Sequence, residues 1–309
     1  METSLGEQNL RKFLPVARWM LAYVPLPLMR WMQGAGVAKL PAGVRRETVV
    51  ADGVRCEWLI PEGSSGDSVL LYLHGGGFVY GVTNLHREMV AQVARMTGLR
   101  TLMVDYRLAP EYPFPAALED CVTVYRWLIK RGIDARKIAL AGDSAGGNLT
   151  LTTLIKLRDE GDPLPAAATC LSPATDLTVR NELERQRDPV LHRRALYAFR
   201  TAYVAEHDCT DPLLSPVFAD LRGLPPLLIH AGEDEVLCAD AIRMAELARE
   251  AGVSVRLEVY PRMWHVWHLY HATLPQASDA LEDIAQFLKL KVGSLVSQHS
   301  ADRTAVRSS

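Results

Sequence analysis

Residues 142–147 read Gly142-Asp143-Ser144-Ala145-Gly146-Gly147. The pattern is G-x-S-x-G, a strand-to-helix turn sharp enough to lift a serine hydroxyl into the open. Its flanks fit that geometry. Lys137-Ile138-Ala139-Leu140-Ala141 reads as a short buried strand, and residues Asn148 to Leu157 read as the helix that follows. Such a turn holds the serine at strained backbone angles, and side chains at Gly142 or Gly146 would clash across it. Short Gly/Ser patterns also arise in ordinary loops, so a second observation must separate a nucleophile from a bland turn. Asp143 has no required catalytic task and is read as a loop-bonding residue.

A second glycine motif supplies that observation. His74-Gly75-Gly76-Gly77-Phe78 follows the apolar run Ser68-Val69-Leu70-Leu71-Tyr72-Leu73. A loop of this type forms half of the oxyanion hole in lipases and esterases. Backbone N–H groups must approach a carbonyl oxygen that becomes negative, and side chains there would obstruct them. Gly76 and Gly77 are the candidate donors here, and Ala145, directly after the serine, is the third. Neither loop contains G-x-x-x-x-G-K-[ST] or G-x-G-x-x-G, which argues against phosphate binding.

These two motifs, at this separation, resemble the hormone-sensitive-lipase family of α/β hydrolases, the bacterial family IV esterases. Between them stands Val104-Asp105-Tyr106-Arg107-Leu108-Ala109-Pro110-Glu111, followed by Phe114-Pro115-Ala116-Ala117. The resemblance implies that this stretch buttresses the oxyanion segment. It extends over residues 45–290 or so, leaving only the two ends of the chain outside.

In this fold the nucleophile, acid and base follow the chain order Ser, Asp or Glu, His. Tyr260-Pro261-Arg262-Met263-Trp264-His265 comes after an alternating strand-like run and resembles the family's histidine loop, which makes His265 the base. His268 and His271 share a three-residue step with it, but there is no H-E-x-x-H and such a step drifts around a helix. They are read as helix residues behind the loop, with no metal. Glu233-Asp234-Glu235 follows the apolar run Pro226 to Gly232. Aligned on Leu237, the family's acid slot falls on Glu235, where Asp is commoner; Asp234 is the alternative, and Glu233 reads as a solvated charge. The acid's task is to accept the imidazole Nδ1–H and steady the imidazolium.

Composition narrows the class. The chain has 309 residues, 49% of them hydrophobic, and a formal net charge of −2. That is enough for one large domain with a cap, and it implies no polyanion partner. No basic stripe with interleaved aromatics points to nucleic acid. The five cysteines are scattered, odd in number and free of C-x-x-C, as expected of reduced thiols in a cytoplasmic protein. The apolar stretch Leu14 to Val24 is interrupted by Arg18, has no clean cleavage site, and is too short to span a bilayer. It reads instead as a helix whose apolar face carries Leu10, Phe13, Leu14, Ala17, Met20 and Leu21. Pro25 and Pro27 break it, and Leu28, Met29, Trp31 and Met32 start another.

The rest alternates. Strand-like runs fall near 46–60, 69–73, 100–104, 137–141, 167–171, 226–231 and 254–259. Helices are expected over Leu85–Met96, Ala116–Lys130, Ala239–Ala251 and Asp279–Lys291. Alternating units predict an α/β fold, a mostly parallel sheet flanked by helices. The expected organisation is an N-terminal cap segment over 1–45, an α/β-hydrolase domain over 46–292, and a polar, disordered tail over 293–309. The resemblance implies a second cap insertion at about 177–212, whose Arg185, Arg187, Arg193 and Arg194 read as a solvated helix face.

The expected activity is hydrolysis of short- to medium-chain acyl esters through Ser144, His265 and Glu235, without a cofactor, on a small-molecule substrate. A lactone hydrolase or amidase would use the same groups. A non-catalytic ligand receptor on this fold would lack the histidine, which is present here. Trp19, Trp31, Phe78, Tyr80 and Tyr203 are candidate pocket residues. Family members often pair through the edge strand near the histidine loop, so the resemblance admits a homodimer.

Overall fold

The computed structural model describes residues 5–33, 36–64, 66–178 and 188–305, with side chains described through Val292. A sheet of eight strands forms its centre: β1 (Val44–Ala51), β2 (Val54–Pro61), β3 (Val69–Leu73), β4 (Arg100–Val104), β5 (Ile138–Asp143), β6 (Ala167–Leu171), β7 (Leu227–Gly232) and β8 (Val255–Tyr260). Their order in space is β1-β2-β4-β3-β5-β6-β7-β8. The two pairings made by β2 are antiparallel, and the others are parallel.

Helices cover both faces, so the central strands read as unbroken apolar runs. On β3, Leu71 and Leu73 join a core with α4 (Ala116–Lys130), α5 (Ala145–Asp159) and α7 (Cys238–Glu250). Leu70 and Tyr72 point the other way, into a core built with α3 (Asn84–Thr97) and α8 (Pro275–Ala305). The period of two along a strand places successive residues in different cores. Helix α3 starts at a capping box: Thr83 Oγ1 accepts the His86 N–H at 3.2 Å, while the His86 side chain accepts the Thr83 N–H.

Three expectations need correction. The run at 46–60 is two strands joined at Asp52-Gly53, both with positive φ (44° and 95°). An Asp-Gly pair is the favoured chemistry of a two-residue hairpin turn, and it outweighs the continuous β-branched pattern. The tail read as disordered from residue 293 begins inside α8, whose backbone continues to Ala305. Between Gln276 and Ala305 there is no proline and one glycine, Gly293, so nothing stops the helical ladder. Residues 306–309 lie outside the described ones. His268 belongs to a short 3₁₀ turn, Trp267–Tyr270, which His271 closes, rather than to a helix.

Above the carboxyl ends of the parallel strands lie α1 (Leu5–Tyr23), α2 (Leu26–Gln33) and α6 (Arg193–Val204). Part of the expected cap insertion, including Arg185 and Arg187, lies outside the described residues. Arg193 and Arg194 are exposed, as a solvated face requires. Among the described residues no helix is long and apolar enough to cross a membrane.

Candidate active site

Ser144 sits between β5 and α5 at φ 53°, ψ −116°. Hydrogen bonds on both sides hold it there: its N–H donates to the Leu171 carbonyl at 2.8 Å, and its carbonyl accepts from Asn148 at 3.1 Å. The neighbouring backbones close in. A Cβ on Gly142 would strike the Gly146 carbonyl, and one on Gly146 would strike the Leu73 carbonyl. Glycine is required at both positions by this crossing of the turn between β5 and α5 over the end of β3.

Next to that crossing runs the His74–Phe78 loop. Gly76 (φ 118°) and Gly77 (φ 60°) take backbone angles that favour glycine. The Gly76 carbonyl accepts from Val79 and Tyr80, which folds the loop into a tight turn. Ala145 opens α5, so its N–H belongs to the first turn, where donors lack intrahelical partners. Asp143 ties the two motifs together. Its carboxylate accepts from Gly75 N–H at 3.0 Å and from Tyr72 Oη at 2.7 Å, with His86 Nε2 at 3.2 Å. Burial opposes the charge, yet His86, Tyr72 and nearby His74 hold the carboxyl at about 2. Tyr106 donates to the His74 carbonyl at 2.7 Å and stacks on its ring at 4.1 Å, as the buttressing stretch should.

His265 Nε2 lies 2.9 Å from Ser144 Oγ, and His265 Nδ1 lies 2.8 Å from Glu235 Oε2. Glu235 is 1% exposed and its other oxygen accepts the Gly232 N–H at 2.8 Å. Asp234, the alternative, is far more exposed and faces Arg11 at 3.5 Å. Glu233 is exposed and accepts the Arg262 N–H. Burial pulls the His265 imidazolium down, but the Glu235 carboxylate outweighs it, and the ring titrates above its ordinary 6.5. Burial likewise lifts Glu235, an effect offset in part by the bonds from His265 and Gly232. His268 does not converge on a metal. Its Nε2 meets His230 Nδ1 at 3.3 Å, and His230 Nε2 meets Asp283 at 3.0 Å. Among the described residues no group of three or more His, Cys, Asp or Glu could hold a metal ion.

Comparison with known proteins agrees with this geometry. A family model described as the alpha/beta hydrolase fold matches residues 70–269. An acetyl-hydrolase of Streptomyces hygroscopicus is 40% identical over 85% of this chain and 88% of its own. An esterase of Acinetobacter venetianus is 35% identical over 80% of this chain and 79% of its own. A crystal structure of an esterase from the bacterial hormone-sensitive lipase family superposes at TM-score 0.86, with 38% identity over 94% of this chain and 100% of that one. The chain belongs to the hormone-sensitive-lipase family of α/β hydrolases.

In this member of the hormone-sensitive-lipase family, a cavity of about 460 Å³ opens above Ser144 and His265. Its walls are mostly apolar: Ala17, Met20 and Leu21 from α1, Met29 from α2, Leu196 and Phe199 from α6, and Phe78 and Tyr80 from the loop after β3. Three of the five aromatic candidates fall elsewhere. Trp19 and Trp31 are 58% and 74% exposed on the outside of the cap. Tyr203 is buried behind Phe78, stacked at 3.7 Å. Phe13, expected on the inward face of α1, is 69% exposed, because α1 is apolar on two sides and only one can face the cavity.

The cap is pinned by polar contacts that the sequence did not announce. Glu7, fully buried, receives Arg11 at 3.0 Å and Arg262 at 3.3 Å, so α1 is tied to the histidine loop. Arg30 of α2 donates to the carbonyls of Val79 and Ala109 at 2.8 and 2.7 Å. Asp188 accepts from Val190, Leu191 and Val236, joining the cap to the Glu235 loop. Ser172 holds Glu235 and accepts the Val266 N–H at 3.2 Å. None of these lies in a motif; each is a polar residue with at least one partner distant in sequence.

Proposed function

We propose that the chain is a serine carboxylesterase acting on short- to medium-chain acyl esters. The observation that carries the reading is the hydrogen-bonded order Ser144–His265–Glu235 at the floor of an apolar cavity. Ser144 Oγ attacks the ester carbonyl while His265 Nε2 takes its proton. Glu235 holds the ring tautomer and offsets the positive charge. The N–H groups of Gly76, Gly77 and Ala145 receive the oxyanion, each contributing roughly 3 kcal/mol to the barrier reduction. His265 then protonates the leaving alcohol. Water, activated by the same ring, hydrolyses the acyl-enzyme.

Short chains are supported by the cavity's size and by two relatives. One carries the name acetyl-hydrolase, and a crystal structure of EstE5 soaked with p-nitrophenyl butyrate is 38% identical at TM-score 0.88 over 94% of this chain and 100% of its own. The reading extends to a cytoplasmic protein, supported by five cysteines that form no disulfide, and to a homodimer paired along the open edge of β8. A series of p-nitrophenyl esters from acetate to laurate tests the acyl preference. Highest kcat/KM at butyrate or hexanoate is expected; a maximum at laurate contradicts it.

A further inference from the structure

Among the described residues, the outer side of α1 and α2 is rich in exposed apolar side chains. Among the described residues, thirteen large hydrophobic side chains are exposed, and eight of them fall between Phe13 and Val37. On α1, Phe13, Val16, Trp19 and Tyr23 recur at steps of three and four and form one stripe. On α2, Leu28, Trp31 and Met32 are exposed. These helices cover the cavity with Ala17, Met20, Leu21 and Met29, so the stripe lies on their reverse side.

The charge of this segment is one-sided. From Gln8 to Arg46 the chain has seven Lys and Arg and no Asp or Glu, although the whole protein is at −2. Four of these seven close ion pairs: Arg11 with Glu7, Arg30 with Glu111, Arg45 with Glu47 and Arg46 with Glu57. Lys12 and Arg18 of α1 face no carboxylate within ion-pair distance among the described residues, and the Arg194 guanidinium lies over the Tyr23 ring at 5.2 Å. Aromatic and aliphatic side chains beside cations that face no carboxylate among the described residues are the signature of a helix that lies in a lipid–water interface.

We propose that the outer face of α1 and α2 docks on an anionic phospholipid bilayer, with α1 and α2 lying along the interface and the chain crossing nothing. Charge complementarity selects this occupant. A second copy docking through the same face would set Lys12 and Arg18 of α1 against the same cations of its partner, and α1 and α2 bring no carboxylate after Glu7 to relieve them. Each Lys or Arg near an anionic surface contributes roughly fivefold in partitioning. The proposal stands apart from ester turnover, because Trp19 and Trp31 do not line the cavity.

Co-sedimentation with vesicles of phosphatidylcholine alone, or with phosphatidylglycerol added, tests it on the full chain. The expected result is binding to the anionic vesicles, weak binding to the neutral ones, and reversal by salt. The double variant Trp19→Ala/Trp31→Ala should lose roughly tenfold or more of that binding. It should hydrolyse dissolved p-nitrophenyl acetate as the parent does, which reads folding and catalysis separately. No binding to anionic vesicles, or equal binding by the double variant, overturns the proposal. So does a parent dimer, seen by light scattering, that the double variant converts to monomer without any vesicle binding.

Discussion

The Asp143 carboxylate, beside Ser144, accepts the backbone N–H of Gly75 at 3.0 Å. One buried side chain therefore sets the distance between the loop carrying Gly76 and Gly77 and the turn carrying Ser144. The other contacts of Asp143, from Tyr72 and His86, make it expensive to remove.

Asp143→Ala should cost about 3 kcal/mol of stability, since it strands a buried tyrosine, a histidine and an N–H. It should also lower kcat more than it raises KM, because the loop shifts relative to Ser144. Urea denaturation and steady-state kinetics check both. The wild type has a matching pH response. A carboxyl held at about 2, against 3.8 in the unfolded chain, gives stability that is fully present above pH 3.8. That contribution is lost as pH falls through about 2.

Glu235→Gln should reduce kcat by roughly 10³- to 10⁴-fold, as loss of the orienting carboxylate does in other serine hydrolases. Asp234→Asn should change kcat less than about twofold, because that side chain meets Arg11 at the surface and not His265. Comparable losses in the two variants would contradict the assignment of the acid.

The pH profile of kcat/KM follows from His265. The ring must be neutral to accept the Ser144 proton, so activity rises with pH through its pKa. Glu235 holds that pKa above 6.5, and the midpoint of the acid limb should lie above 6.5. In Glu235→Gln, where burial is opposed only by the weaker pull of Asp188 and Asp143, the midpoint should move down.

Gly146→Ala tests the close packing of the first turn of α5 on the end of β3. In an ordinary helix, alanine for glycine stabilises by about 1 kcal/mol. Here the new Cβ would meet the Leu73 and His74 carbonyls, the latter at 2.6 Å, and the backbone has no room to yield. The sign should reverse, with a loss of about 2–3 kcal/mol measured by thermal unfolding.

What the sequence revealed and what it concealed have a common cause. Ser144, His265, Gly76 and Gly77 are legible because tight turns and close approaches admit few residue types. Helix α4 matches its expected span, Ala116–Lys130, because its apolar period is uninterrupted. The hairpin at Asp52-Gly53 was legible in principle, through a dipeptide passed over in favour of the longer apolar run. Trp19, Trp31 and Phe13 were misassigned because α1 is apolar on two faces, and periodicity does not say which one turns inward. Glu7, Ser172 and Asp188 left no signal, since the contacts that tie them to the histidine and Glu235 loops come from far along the chain.

Turnover of p-nitrophenyl butyrate by Ser144→Ala bears on all of this. Removing one oxygen from a half-buried side chain should leave the melting temperature within a few degrees of the parent. On this reading, kcat falls by roughly 10⁴- to 10⁶-fold. An alanine variant that retains most of the parent rate would show that the nucleophile lies elsewhere.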